Sequence, residues 1–272
     1  MKPGEDGRNG SLVGGKVLAD PLEIPPSMSQ LPIAAQWILL TVIAFVASTL
    51  AAISGFGGAA VLLPALIAIF GVREAIPILT VAQLIGNGSR VWFNRSEVNW
   101  PVIGWFTLGS VPLGLLGGYL FATVPFSTLT RLVGVFLLFT VVWRHARAGK
   151  PRRPPLKSFA VIGAGATFLS ALVGSVGPIM APFFLAYGLV KGAYIGTEAM
   201  ATVVMHITKL VAYHQTAVLT VSAIQSGLAL GPIMVLGSFL GKRVVDRLPE
   251  RLFVMIIEAV LIIAGLMFLI RG

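Results

Sequence analysis

The chain has 272 residues, of which 56% are hydrophobic and 11% charged, with a mean hydropathy of +0.91. A soluble domain carries about 25% charged residues, so this composition excludes an ordinary soluble enzyme and indicates an all-α polytopic membrane protein. The lack of cysteine excludes disulfides, thiol catalysis and cysteine-ligated metals, while the net charge of +10 sits mainly in short connections between apolar runs, where it sets orientation and does not recruit nucleic acid.

Residues 1–30 are polar, Gly- and Pro-rich and mixed in charge. They hold no apolar core of about 7–15 residues, so they read as a disordered tail and not as a signal peptide. Apolar segments follow at roughly 32–54, 58–71, 74–94, 100–121 and 127–144. The basic linker 146–157 separates them from a second set, roughly 158–174, 178–190, 193–213, 217–241 and 251–270. The expected organisation is a tail, a first transmembrane repeat over 31–145, the linker, and a second repeat over 158–272.

The halves correspond. Gly174 and Gly177 follow Gly55 and Gly58 by 119 residues, and Pro232, Gly237 and Arg251 follow Pro112, Gly117 and Arg131 by 120. One inserted loop residue accounts for the change, and the ordered series indicates an internal duplication. The positive-inside rule places the Arg144–Lys157 and Lys242–Arg251 connections in the cytoplasm. The Arg90/Arg95 connection then falls on the same side and the uncharged Phe121–Thr128 connection outside. The scheme closes if each half crosses an odd number of times, which makes the repeats inverted.

The segment Leu50 to Gly71 is interrupted by Ser54-Gly55-Phe56-Gly57-Gly58, and its counterpart by Gly174-Ser175-Val176-Gly177-Pro178. Glycine costs about 1 kcal/mol against alanine inside a helix, so these are breaks. In hydrocarbon a broken helix is tolerated only where protein or a water-filled cavity covers the freed backbone, which makes each break a pointer to a binding site. Segments 58–71 and 178–190 extend only about 20 Å as helices, against a hydrocarbon core of about 30 Å. Each is therefore a full crossing or half of a re-entrant hairpin. The total is about eight transmembrane helices, from eight to ten hydrophobic segments, with the glycine tips meeting near the midplane.

Thr80, Gln83, Asn87 and Arg90 share one helical face, as do Ala199, Thr202, His206 and Lys209 at the matching positions of the second half. Glu198 and Tyr213 extend the second stripe. Such a stripe lines a cavity or bonds helices together. Arg90 and Lys209 lie near helix ends, where they either snorkel to the interface or act as an electrostatic gate at the two mouths of an anion path. Glu258 interrupts an apolar run as either a hydrogen-bonded structural carboxyl or a proton carrier. His206 has no second ligand at metal spacing, and neither a phosphate loop nor a paired catalytic constellation is visible.

The run Ser54-Gly55-Phe56-Gly57-Gly58 followed by Pro64 and Leu66 resembles the G-x-G-G-G…P-x-L signature of the sulfite exporter TauE/SafE family, also called the toluene sulfonate uptake permease family. Gly174 to Pro178 with Pro182 is similar to that family's second, degenerate copy. Two departures stand out: Ala59 follows Gly58, and Pro178 replaces a small residue. The resemblance implies a secondary transporter of sulfur-containing anions, working without ATP and without a cofactor.

The expectation is a multi-pass inner-membrane permease for sulfite, sulfonate, sulfoacetate or thiosulfate. Gly55, Phe56, Gly57, Gly58, Gly174, Ser175, Gly177 and Pro178 would cradle the anion, with Gln83, Asn87, Thr202 and His206 as side-chain contacts. Its partners would be the small anion, the lipid bilayer and a coupling H⁺ carried by Glu198, Glu258 or His206. A passive anion channel on the same scaffold is the alternative.

Overall fold

The computed structural model describes residues 31–56, 58–123, 153–174, 176–249, 251–253 and 255. The N-terminal tail, the segment 127–144, most of the linker 146–157 and most of the segment 251–270 lie outside the described residues. Every regular element among the described residues is helical. In chain order these are α1 (Ile33–Ser54), α2 (Gly58–Phe93), a 3₁₀ turn (Arg95–Glu97), α3 (Trp100–Thr123), α4 (Ser158–Val173), α5 (Gly177–Ala186), α6 (Lys191–Gln215) and α7 (Val221–Arg247).

Glycine ends these helices where the sequence breaks them. Gly55 (φ 82°) closes α1 with its N–H on Ala51 O at 2.8 Å. Gly174 (φ 86°) closes α4 in the same way, on Ser170 O at 2.9 Å. Left-handed backbone costs an L-residue roughly 1–2 kcal/mol, which glycine avoids. Helix α2 is in fact two rods, 58–70 and 72–93, because Gly71 sits at φ 73°, ψ 165°. Gly188 (φ 96°) plays the same part after α5. Each short rod is therefore flanked by positive-φ glycines, Gly55 and Gly71 in the first half and Gly174 and Gly188 in the second. The second rod is shorter than the sequence suggests, ending at Ala186 with Leu189 N–H turned back onto Phe184 O.

Among the described residues, α1, α3 and α7 are each long and apolar enough to cross a membrane, while 61–71 and α4 are shorter apolar helices. The 25-residue α6 has the length but carries Glu198, His206 and Lys209, all buried. The apolar side chains on α1 face outward at four-residue spacing, through Ile38, Val42, Val46 and Leu50. A polar interior under an exposed apolar stripe is the arrangement a lipid environment selects.

Helix pairing follows a repeating scheme. α1 packs on α7, and α4 packs on α3; α2 packs on α7, and α6 packs on α3; α2 and α6 pack on each other. Small residues permit the closest approaches. A methyl at Gly109 or Gly163 would meet the backbone of Ala160 or Phe106 across the α3–α4 seam, and one at Gly237 would meet Phe45 and Ser48 across the α1–α7 seam. The 72–93 rod and α6 run antiparallel. Gly192 and Gly196 at the start of α6 lie against Glu97 and Asn94, while Tyr213 near its end clusters with Ile76. Lys242 stands 4.0 Å from Glu97, and Thr220 Oγ1 donates to Glu74 Oε2 at 3.0 Å, so these two contacts mark opposite ends of the bundle.

Candidate functional site

Both breaks open onto one cavity of about 40 Å³. Gly55, Phe56, Gly58 and Ala59 line it from the first half, and Gly174, Val176 and Gly177 from the second. Gln83, Asn87 and Arg90 of the 72–93 rod face Glu198, Thr202 and His206 of α6 across it. A bound water needs roughly 10–15 Å³ by this measure, so the space suits a few waters or an oxyanion of a few heavy atoms.

The polar groups form an ordered chain. Asn87 Nδ2 donates to Gln83 O at 2.7 Å and to Gln83 Oε1 at 3.3 Å. Arg90 Nη2 in turn donates to Asn87 Oδ1. Arg90 Nη1 donates to Ala51 O and Gly55 O, each at 2.9 Å. The last carbonyls of a helix lack intrahelical donors, and here α1 stops inside the protein, so the guanidinium serves Gly55 O and adds a second bond to Ala51 O, which already accepts the Gly55 N–H. In the second half Lys209 Nζ donates to Ser170 Oγ at 3.1 Å, with Ser170 O at 3.5 Å. Ser170 and Lys209 follow Ala51 and Arg90 by the same 119 residues. Tyr213 adds a bond from its hydroxyl to Ala171 O at 2.6 Å.

Arg90 and Lys209 thus lie in the interior and not at the mouths. Both are buried, Arg90 5% exposed and Lys209 0%. Their proximity to helix ends in sequence misled because the break they cap is far away in sequence and close in space. Arg90 lines the cavity, and Lys209 stands behind Ser170.

Glu198 Oε2 lies 3.8 Å from Arg90 Nη1, and Glu198 Oε1 accepts from Thr202 Oγ1 at 3.2 Å. Three buried polar atoms at the cavity have no hydrogen-bond partner: Gln83 Nε2, Glu198 Oε2 and His206 Nδ1. Each such orphan carries the cost of desolvation, and together they mark where a polar guest would be held. A methyl at Gly58 would stand 3.1 Å from Gln83 Nε2, so that amide lies directly over the start of α2.

The structure therefore brings together Gly55, Phe56, Gly58, Gln83, Asn87, Arg90, Gly174, Gly177, Glu198, Thr202 and His206. Pro178 falls in the first turn of α5. Gly57, Ser175 and Glu258 lie outside the described residues. Sequence reasoning missed Ala59, Ser170, Val176 and Met205 as lining residues, and Tyr194, whose ring packs on Gly55. Ser170 was the readable one, being the polar residue 119 positions after Ala51, one turn before the glycine.

A family model described as sulfite exporter TauE/SafE matches residues 40–268. No curated protein and no solved structure matches the chain.

Proposed function

The chain belongs to the sulfite exporter TauE/SafE family, and on that footing we propose that it is a proton-coupled secondary transporter of small sulfur oxyanions in the inner membrane. The observation that carries this reading is the convergence of two glycine breaks and two polar stripes on one small cavity whose Gln83 Nε2 and His206 Nδ1 lack partners. The helices beginning at Gly58 and Gly177 turn their N-termini toward that cavity. Their first N–H groups and dipole ends suit an anion. Gln83, Asn87, Arg90, Thr202 and His206 complete the contacts, with the Lys209 amine behind Ser170. Glu198 is the proton carrier among the described residues.

Inverted repeats, with about eight crossings, supply the two gates. The antiparallel packing of the 72–93 rod and α6, and the matched pairings α1–α7 and α4–α3, favour this reading. Alternating access then comes from rocking one repeat against the other around the fixed cavity.

The test is ligand-induced thermal stabilisation of purified protein across sulfite, thiosulfate, sulfoacetate, taurine, sulfate, acetate and chloride. A bound ligand raises apparent stability by RT ln(1 + [L]/Kd). Stabilisation confined to sulfur oxyanions, and reduced in His206→Gln, supports the reading. Stabilisation by metal cations or amines alone overturns it.

A further inference from the structure

Glu198 has no acidic counterpart in the first half. The position 119 residues earlier is Leu79, fully buried in the apolar core. The carboxylate therefore does something the duplication alone does not require. It reaches from the second half toward Arg90 of the first, yet its Oε2 remains 3.8 Å away and makes no hydrogen bond. A buried ion pair is poorly compensated unless its oxygens are also hydrogen-bonded. Of the unpartnered polar atoms nearby, Gln83 Nε2 and His206 Nδ1 belong to the same cavity, and the Tyr194 hydroxyl lies one turn before Glu198 on its own helix. An oxyanion in that cavity would need the same guanidinium.

Resting on the anion reading above, we propose that Glu198 is a built-in counter-anion: it holds Arg90 in the empty protein, and a substrate oxyanion displaces it as Glu198 takes up a proton from water. Two negative charges beside one arginine in a low-dielectric interior repel strongly. Adding one proton to the carboxylate removes that repulsion, so anion and proton enter as a pair. The same event severs the Arg90–Glu198 link between the two halves, which ties occupancy to their relative motion.

The groups around Glu198 are Arg90 from the 72–93 rod and, on its own helix, Tyr194 and Thr202, with His206 lining the same cavity and Lys209 further along the helix on Ser170. Helices α1, α4 and α5 carry no titratable side chain, α3 carries only the exposed Tyr119, and the charges of α7 begin at Lys242, which stands 4.0 Å from Glu97 at the end of the bundle where α6 starts. Glu97, in the 3₁₀ turn, lies against Gly192 at the start of α6. His206 is thus the competing proton acceptor at the cavity.

The experiment uses thiosulfate, whose charge is constant from about pH 6 to about pH 8, as the probe of the purified full-length protein. Wild-type affinity is expected to fall as pH rises, approaching about tenfold per pH unit on the alkaline side. Glu198→Gln should bind with little pH dependence and, at alkaline pH, at least as tightly as wild type. His206→Gln should keep the wild-type slope. A second readout needs no variant: thiosulfate added to lightly buffered wild-type protein should take up about one proton per anion bound. A Glu198→Gln protein that retains the wild-type slope, or binding to wild type without proton uptake, overturns the counter-anion role while leaving the anion site intact. Thiosulfate and sulfite both failing to bind any of the three proteins overturns the anion reading itself, and this inference with it.

Discussion

Arg90 is the residue on which most of the site depends. Its guanidinium serves Ala51 O, Gly55 O, Asn87 Oδ1 and the Glu198 carboxylate at once. Arg90→Ala leaves an uncompensated buried charge, strips Gly55 O of its donor and takes one of two donors from Ala51 O, so a loss of about 3 kcal/mol or more is expected in thermal or denaturant unfolding. Arg90→Lys should recover part of it, since Lys209 performs the capping task in the other half. Gln83→Leu removes an amide whose nitrogen has no partner in the protein. The change also removes Gln83 Oε1, the longer of the two acceptors of Asn87 Nδ2, so it should cost only a little stability while weakening anion binding by about tenfold, or about 1.4 kcal/mol. The polar identity of these residues was legible from their spacing. The capping role was not, because a cation's partner carbonyls come from chain 35–39 residues away. The one clue was that cation and glycine break repeat at the same interval.

At the scale of the helix, the left-handed glycines are not equivalent. A methyl at Gly55 would run into the Tyr194 ring, whereas one at Gly174 meets only Leu63, Leu79 and Ile76 at 3.3–3.7 Å. Gly55→Ala should therefore destabilise more than Gly174→Ala, which pays chiefly the left-handed backbone term of roughly 1–2 kcal/mol. Gly71 and Gly188 have open space around them. Alanine there should meet no side chain and cost only backbone strain, roughly 1–3 kcal/mol at Gly71, whose φ 73°, ψ 165° is essentially a glycine-only conformation, and stopped-flow transport should slow while equilibrium binding holds. The breaks at Gly55 and Gly174 were readable from glycine density alone. Gly71 was readable only as the end of an apolar run, and the length of α5 was overestimated. Apolarity continues past Ala186, and it is the turn at Gly188 that stops the helix.

For the molecule as a whole, composition sufficed for the membrane, while the family was legible only in the glycine run Ser54 to Gly58 with Pro64 and Leu66. The pairing of α1 with α7 and α4 with α3 did not follow from hydropathy, because every face of such helices is apolar. Glycines facing backbone across those seams decide it. Sidedness has a direct check, since the chain has no native cysteine. A single cysteine at Glu97 and another at Glu74 should react with a membrane-impermeant thiol reagent from opposite sides, Glu97 from the cytoplasm; labelling of both from one side overturns the topology. A transporter should also concentrate its substrate and lose that gradient to an uncoupler, whereas a passive channel never concentrates it. Each short rod, 58–70 and α5, is a rigid link between two backbone pivots, and α1 and α4 are clamped by their seams with α7 and α3. In kinematic terms a link with a joint at either end and fixed mounts has one easy motion, a swing about its own ends. Both links start at the one cavity, so under the alternating access proposed above a swing of either would alter the wall that the other shares, and the two would move as a linkage with a common bearing and not as two independent doors.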